Sequence, residues 1–150
     1  MRPTDLGILL ERWSHAMHEA ACAKELEIRV SVQYDLPPVT CRPDQISRVI
    51  LNLVDNAIRH SPRKGIVALR ALAQPGGVQV QVNDAGPGFR APLSEHIPES
   101  ARPSGDAGDT SPALGLAIAR SIIEAHGGRL RISSPPRGAS VRFSLPHREL

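Results

Sequence analysis

The sequence predicts an α+β fold, a two-layer α/β sandwich in which about five strands are covered on one face by about three helices. Three observations carry this. Segments of helical and strand period follow in the order helix, strand, helix, hairpin, loop, helix, hairpin. The later strands arrive in adjacent pairs, which favours antiparallel pairing. Each helical segment has one apolar stripe, so all the helices can pack on the same side of a sheet. A doubly wound sheet would need strand and helix to alternate throughout, and they do not.

Between Asp5 and about Lys24, Leu6, Leu9, Leu10, Trp13, Met17, Ala20 and Ala21 recur at three- and four-residue steps, predicting a first helix. Ile28, Val30, Val32 and Tyr34 then alternate with polar residues, the period of a half-buried strand, and Pro37-Pro38 ends it. Asp44 or its neighbourhood offers an N-cap for a second helix with Ile46, Val49, Ile50, Leu53 and Ala57 on one stripe, closed by Ser61-Pro62. Ile66 to Leu72 and Val78 to Val82 form a hairpin pattern around Pro75-Gly76-Gly77.

From Asn83 to about Thr110, Gly, Pro, Ser, Asp and Ala dominate, which predicts a long loop of the kind that serves as a lid or binding loop or else is disordered. Ser111-Pro112 gives a cap and first-turn pair for a third helix that places Leu116, Ala119, Ile122 and Ile123 inward and stops near His126-Gly127-Gly128. Leu130 to Ser133 and Ser140 to Leu145 supply two closing strands.

The chain of 150 residues has the size of one domain, and 41% hydrophobic with 22% charged residues excludes a polar disordered tail. The net charge of +3 raises nucleic acid as a partner, but aromatics at 3% leave little for bases to stack on, so no nucleic acid is expected. No run reaches the roughly 20 apolar residues of a membrane span. The expectation is a cytoplasmic domain without membrane contact of its own. Cys22 and Cys41 have no metal-type spacing and are expected as reduced thiols.

Three elements could carry chemistry. On the second helix Gln45, Asn52, Asn56 and Arg59 fall within roughly 60° of one another at helical pitch, beside the apolar stripe. Asparagine is a mediocre helix former, so two of them one turn apart call for a partner: each other, backbone, or a ligand with its cation. Asn83-Asp84-Ala85-Gly86-Pro87-Gly88 follows a strand, where an acid can accept from an amino group and glycines let backbone approach a flat ring. Pro112-Ala113-Leu114-Gly115-Leu116 opens a helix, whose free N–H groups suit phosphate. Each has an ordinary structural explanation when taken alone. A Walker-type phosphate loop is absent from the sequence.

Together these stretches resemble the GHKL ATPases, the superfamily of histidine kinases, DNA gyrase, heat-shock chaperones and mismatch-repair ATPases. Residues Asp44 to Ser61, with Asn52-Leu53-Val54-Asp55-Asn56-Ala57 at their centre, are similar to the histidine-kinase N box. Residues Asn83 to Gly88 resemble its first glycine box, and Gly115 to Arg120 the tail of the second. His126-Gly127-Gly128 and Gly138 to Pro146 resemble the histidine-kinase C-terminal pattern. The resemblance runs from about Asp5 to Pro146 and implies a single ATP-binding catalytic domain over residues 1–150 with a mixed sheet, the Bergerat fold, and a flexible ATP lid at about 89–112.

The same resemblance implies the roles. Asn56 would hold Mg2+ with Asn52 in support, Arg59 and His60 would lie near the phosphates, and Asp84 would take the adenine amino group. Gly86 and Gly88 would admit the base, while Ala113, Leu114, Gly115 and Leu116 would present the helix start to the phosphates. Asn56 and Arg59 would be the catalytic pair. The γ-phosphoryl group of ATP would pass to a histidine on a separate dimerisation domain and then to a response regulator, with this domain itself monomeric.

Ser14-His15-Ala16-Met17-His18-Glu19 lacks the continuation of the family's acceptor histidine, so the acceptor is expected to precede residue 1, and His15 with His18 is read as a solvated helix face. The lid stretch around Ile97 to Arg102 has no aromatic, and Ser111 and Ala113 stand where the family has glycine. These departures imply an alternative, a degenerate GHKL module that binds nucleotide or a partner without efficient transfer. An anti-sigma serine kinase of the same fold fits the C-terminal pattern less well.

Overall fold

The computed structural model describes residues 1–84, 112–133 and 139–146. In chain order the elements are β1 (Arg2–Thr4), α1 (Leu6–Ala16), α2 (His18–Ala23), β2 (Glu27–Val32), β3 (Val39–Cys41), α3 (Pro43–His60), β4 (Ile66–Gln74), β5 (Gly77–Asp84), α4 (Pro112–Ala125), β6 (Arg129–Ser133) and β7 (Ala139–Pro146).

Five strands form one mixed sheet in the order β2-β4-β5-β7-β6, with β2 parallel to β4 and the other neighbours antiparallel. The pleat sorts its side chains cleanly. Val30, Leu69, Val82, Val141 and Ile132 stand in register across all five strands, and Val32, Ala71, Val80, Phe143 and Leu130 form the next row. Both rows face the helices. Leu6, Leu10, Ile46, Ile50, Leu53, Leu116 and Ile123 meet them from the helical side, each at most 1% exposed. The other face of the sheet carries mainly polar side chains. The two-layer α+β sandwich read from the sequence is therefore the observed fold.

Several local expectations need correction. The first helix is broken at Met17, whose φ of −92° and ψ of 6° leave the helical region, so α1 and α2 are separate and the helices number four among the described residues. The bend leaves Ala20 exposed while Ala21 packs into the core. Of the neighbourhood offered for the cap of α3, Arg42 rather than Asp44 holds the position, Pro43 opens the helix, and Asp44 lies in the first turn. β2 ends at Val32, leaving Tyr34 88% exposed. β4 and β5 run longer than their apolar cores, so Asn83 and Asp84 are strand residues rather than loop. The small antiparallel sheet of β1 with β3, which buries Val39 and Cys41, was not foreseen. The predicted loop up to Ser111, including Gly86 and Gly88, lies outside the described residues, as does the 134–138 turn.

α4 ends as its sequence predicts. Gly127 adopts φ 80°, its N–H donates to Glu124 O at 3.0 Å, and the Gly128 N–H donates to Ile123 O at 3.0 Å. This pair of bonds satisfies the last carbonyls of the helix. Gly128 is also held close to β7, where a side-chain methyl would overlap the carbonyl of Ser144.

Candidate functional site

α3 is the spine of the site. Its 18 residues bury Ile46, Val49, Ile50, Leu53 and Ala57, as an amphipathic helix over a sheet must, and it packs against both β5 and α4. The amide stripe flanks that buried face. Asn52 is half-buried, and its Nδ2 donates to the carbonyl of Gly115 in α4 at 3.5 Å, a long contact. One turn on, Asn56 is only 6% exposed, and its Oδ1 meets no hydrogen-bond donor among the described residues. An unpaired buried amide oxygen costs about 1–3 kcal/mol. That orphaned acceptor is the feature of α3 that packing alone does not account for.

Arg59 follows in the last turn and forms an ion pair with Asp55 at 3.1 Å, one turn back. Both side chains are about half exposed (51% and 45%), so the pair contributes only a few tenths of a kcal/mol, but it lays the guanidinium along the helix surface. His60 is half-buried beside it. The end of α3 is held from outside: Lys24 Nζ donates to Ile58 O at 2.8 Å, Arg59 O at 3.2 Å and Ser61 O at 2.6 Å. A cation on the final carbonyls suits the negative end of the helix dipole.

Asp84 is the last residue of β5, in register with Val67 on one side and Ala139 on the other. It continues the parity of Val78, Val80 and Val82, so it lies on the helix-covered side of the sheet. α4 supplies the third wall. Pro112, Ala113, Leu114 and Gly115 form its first turn, although the side chains before Gly115 lie outside the described residues. A Cβ on Gly115 would stand 3.9 Å from Asn52 Cβ, an ordinary contact, so packing of α3 on α4 does not itself require glycine there. Leu116 is 1% exposed, which puts its side chain in the core and leaves only its backbone for a ligand.

The structure thus brings Asn52 and Gly115 together, buries Asn56 one turn further along α3, and sets Asp84 on the helix-covered side of the sheet. Gln45, on the same stripe in sequence, goes elsewhere. With Asp44, Arg48, Ala117, Ser121 and Ile122 it lines an open cavity of about 630 Å3 between the outer parts of α3 and α4.

Three contributors escaped the sequence reading. Asp55 was legible as an i,i+4 partner of Arg59. Lys24 gave no signal, because its partners are 34 to 37 residues away. His126 was read only as a helix end; 4% exposed, it bonds through Nε2 to the backbone of Arg42 at 3.1 Å and through Nδ1 to Ile122 O at 2.8 Å. His15 and His18 are exposed as expected, with His18 Nε2 3.3 Å from Cys22 Sγ, and no cluster of three or more metal-binding side chains occurs among the described residues.

The sequence profile of the family described as Histidine kinase-, DNA gyrase B-, and HSP90-like ATPase matches residues 41–149. Adaptive-response sensory kinase SasA of Synechococcus sp. strain JA-3-3Ab is 38% identical over 83% of this chain and 34% of its own length. Sensor histidine kinase ZraS of Escherichia coli O157:H7 is 30% identical over 97% of this chain and 31% of its own. The chain therefore spans about a third of the length of these relatives.

Among solved structures, the nucleotide-free catalytic domain of histidine kinase ThkA superposes with a TM-score of 0.82 at 25% identity, covering 96% of this chain and 95% of that one. Full-length ShkA in complex with AMPPNP gives 0.83 at 29% identity, covering 99% of this chain and 31% of that one. The matched profile, the sheet order and the helix carrying Asn52 and Asn56 agree: the chain belongs to the histidine kinase-, DNA gyrase B- and HSP90-like ATPase family and has the form of the catalytic domain of sensor histidine kinases.

Proposed function

We propose that this domain binds Mg-ATP between α3, the Asp84 end of β5 and the first turn of α4. It then donates the γ-phosphoryl group to a histidine on a separate dimerisation domain, from which a response regulator is phosphorylated. The buried, unpartnered Oδ1 of Asn56 carries this reading. A neutral amide oxygen is a hard ligand of the kind Mg2+ takes, and the metal would relieve the cost of leaving that oxygen without a donor. When bound, Mg2+ neutralises charge on the phosphates as the terminal group leaves.

The chain's own residues then have distinct tasks. Asn56 holds the metal, and Asn52 keeps α3 and the Gly115 turn of α4 in place on either side of it. Arg59 and His60, at the end of α3 secured by Lys24, lie near the phosphates. Asp84 accepts from the adenine amino group, with Gly86 and Gly88 next to the base. Backbone N–H groups of Ala113, Leu114, Gly115 and Leu116 face the phosphates from the helix start. A related solved protein, ShkA, was crystallised with AMPPNP, which supports the nucleotide class.

Calorimetric titration tests the reading. The chain should bind ATP in a magnesium-dependent way, and Asn56→Ala should abolish that dependence. A separately made dimerisation domain should acquire phosphohistidine when mixed with the wild-type chain and ATP. Nucleotide binding unchanged in Asn56→Ala would overturn the assignment.

A second reading keeps nucleotide binding but not efficient transfer. It is favoured by Pro112 as the first residue of α4, since proline removes one of the free N–H groups a helix start offers. Tight ATP binding with no phosphotransfer in a single-turnover experiment would select it.

A further inference from the structure

Two turns, residues 24–27 and 61–65, are locked against each other at the end of α3 that carries Arg59 and His60. The Lys64 N–H donates to Lys24 O and the Glu27 N–H to Gly65 O, each at 3.0 Å. Within the second turn the Gly65 N–H donates to Pro62 O at 3.0 Å, and a Cβ on Gly65 would stand 2.9 Å from that oxygen, so a side chain there would force the turn to shift. The Glu25 carboxylate bridges the two turns, 3.0 Å from Arg63 and 4.0 Å from Lys64. These ion pairs are largely exposed and add little energy.

The clasp is locally costly. Glu25 and Lys64 adopt φ of 57° and 68°, the left-handed region that a residue with a Cβ enters at a cost. Among the described residues only Asp35, in the loop after β2, shares that conformation without being glycine. Ser61, 2% exposed, has no hydrogen-bond partner for its Oγ among the described residues. Such departures gather at functional sites, where the surroundings over-determine them. A helix stop by itself asks for less: α4 ends on Gly127 with no cation on its last carbonyls.

We propose that Lys24, at the centre of this clasp, is a positioning residue for the phosphate chain of the nucleotide, an inference that rests on the Mg-ATP reading of the site. An ammonium group has three donors, and Lys24 Nζ commits bonds to three carbonyls: Ile58 O, Arg59 O and Ser61 O. It therefore acts through α3 rather than by touching the ligand. The carbonyl of Arg59 is tied to those on either side of it, so the backbone from which Arg59 and His60 project is fixed before a polyanion arrives. Less ordering is then left for binding to supply, which raises affinity for the phosphates. The base, at the Asp84 end of β5, gains nothing from this.

The test titrates the 150-residue chain with ATP, ADP and adenosine in Mg2+, by calorimetry at a temperature where circular dichroism shows each variant folded. In Lys24→Met the affinity for ATP should fall about tenfold and that for ADP less, with adenosine unaffected. Lys24→Arg should recover part of the loss. Arg59→Gln should cost less in the Lys24→Met background than in the wild type, since the two residues act as a unit. Should Lys24→Met not fold, Glu25→Gly takes its place: glycine accepts φ 57° without strain while the ties to Arg63 and Lys64 are lost, and ATP affinity should fall severalfold. Equal loss for all three ligands would mark a merely structural cap and overturn the proposal, as would no loss at all or full additivity with Arg59→Gln. A wild-type chain that binds ATP no better than adenosine would overturn the phosphate site itself, and this role with it.

Discussion

The Nε2 atom of His126 accepts the backbone N–H of Arg42 at 3.1 Å, joining the residue that follows α4 to the N-cap of α3. Two helices that flank the site are thereby fixed to each other at the ends remote from Asn56. His126→Ala would leave a donor without a partner in a largely buried place, at a cost of about 1–3 kcal/mol. Urea unfolding should show a lower midpoint with an unchanged slope. A midpoint equal to wild type would mean that the bond contributes nothing net.

Lys24 secures the opposite end of α3 through three carbonyls. Replacing it with methionine keeps most of the aliphatic stem but removes the charge-assisted bonds and the favourable dipole interaction, a loss of about 1–3 kcal/mol. Lys24→Arg should recover part of it. Because the carbonyls that Lys24 holds, those of Ile58, Arg59 and Ser61, flank His60 at the end of α3, amide exchange should quicken in the last turn of α3 before any other part of that helix. Uniform exchange along α3 would argue against a local cap.

The orphaned Oδ1 of Asn56 predicts an unusual stability effect. A buried asparagine with satisfied bonds would cost about 1–3 kcal/mol to remove. Here Asn56→Ala should cost less than about 1 kcal/mol in the ligand-free chain, because an unmet acceptor is removed along with the side chain's contacts. Thermal unfolding without nucleotide reads this directly, and a drop typical of a structural asparagine would count against a ligand role.

Cys22 is exposed and Cys41 buried, and neither is in a disulfide. Burial pushes the Cys41 thiol above 9.0, while the Thr4 hydroxyl and the amino terminus pull it back less strongly. N-ethylmaleimide at pH 8 should therefore add once quickly at Cys22, with the second adduct appearing only as the chain opens, as intact mass will show. The folded value is the higher one, so this group's contribution to stability is complete below pH 9.0 and is lost as pH rises through the folded value. Alkaline destabilisation of the wild type should exceed that of Cys41→Val.

The sequence by itself determined whatever depends on neighbours in the chain. The stripe of α3, the apolar alternation in β4 and β5, and the glycine stop of α4 all follow from side-chain period and local backbone preference. The alignment of Asn52 with Asn56 was legible for the same reason, since helical pitch alone places them one turn apart.

Only the tertiary structure decided what depends on remote partners. β1 and β3 have three residues each, too few to show a period, and exist because they pair with each other. The parallel pairing of β2 with β4 and the insertion of β7 between β5 and β6 are choices among sheet orders that the same patterns permit. Met17 breaks a helix whose apolar spacing runs on without a gap, because the contacts of α2 with β2 and of α1 with α3 turn the two halves apart. Lys24 and His126 carry no local mark of their partners. The burial of Asn56 without a donor is likewise a property of the assembled layers, since period places a side chain on a stripe but cannot say which groups will face it.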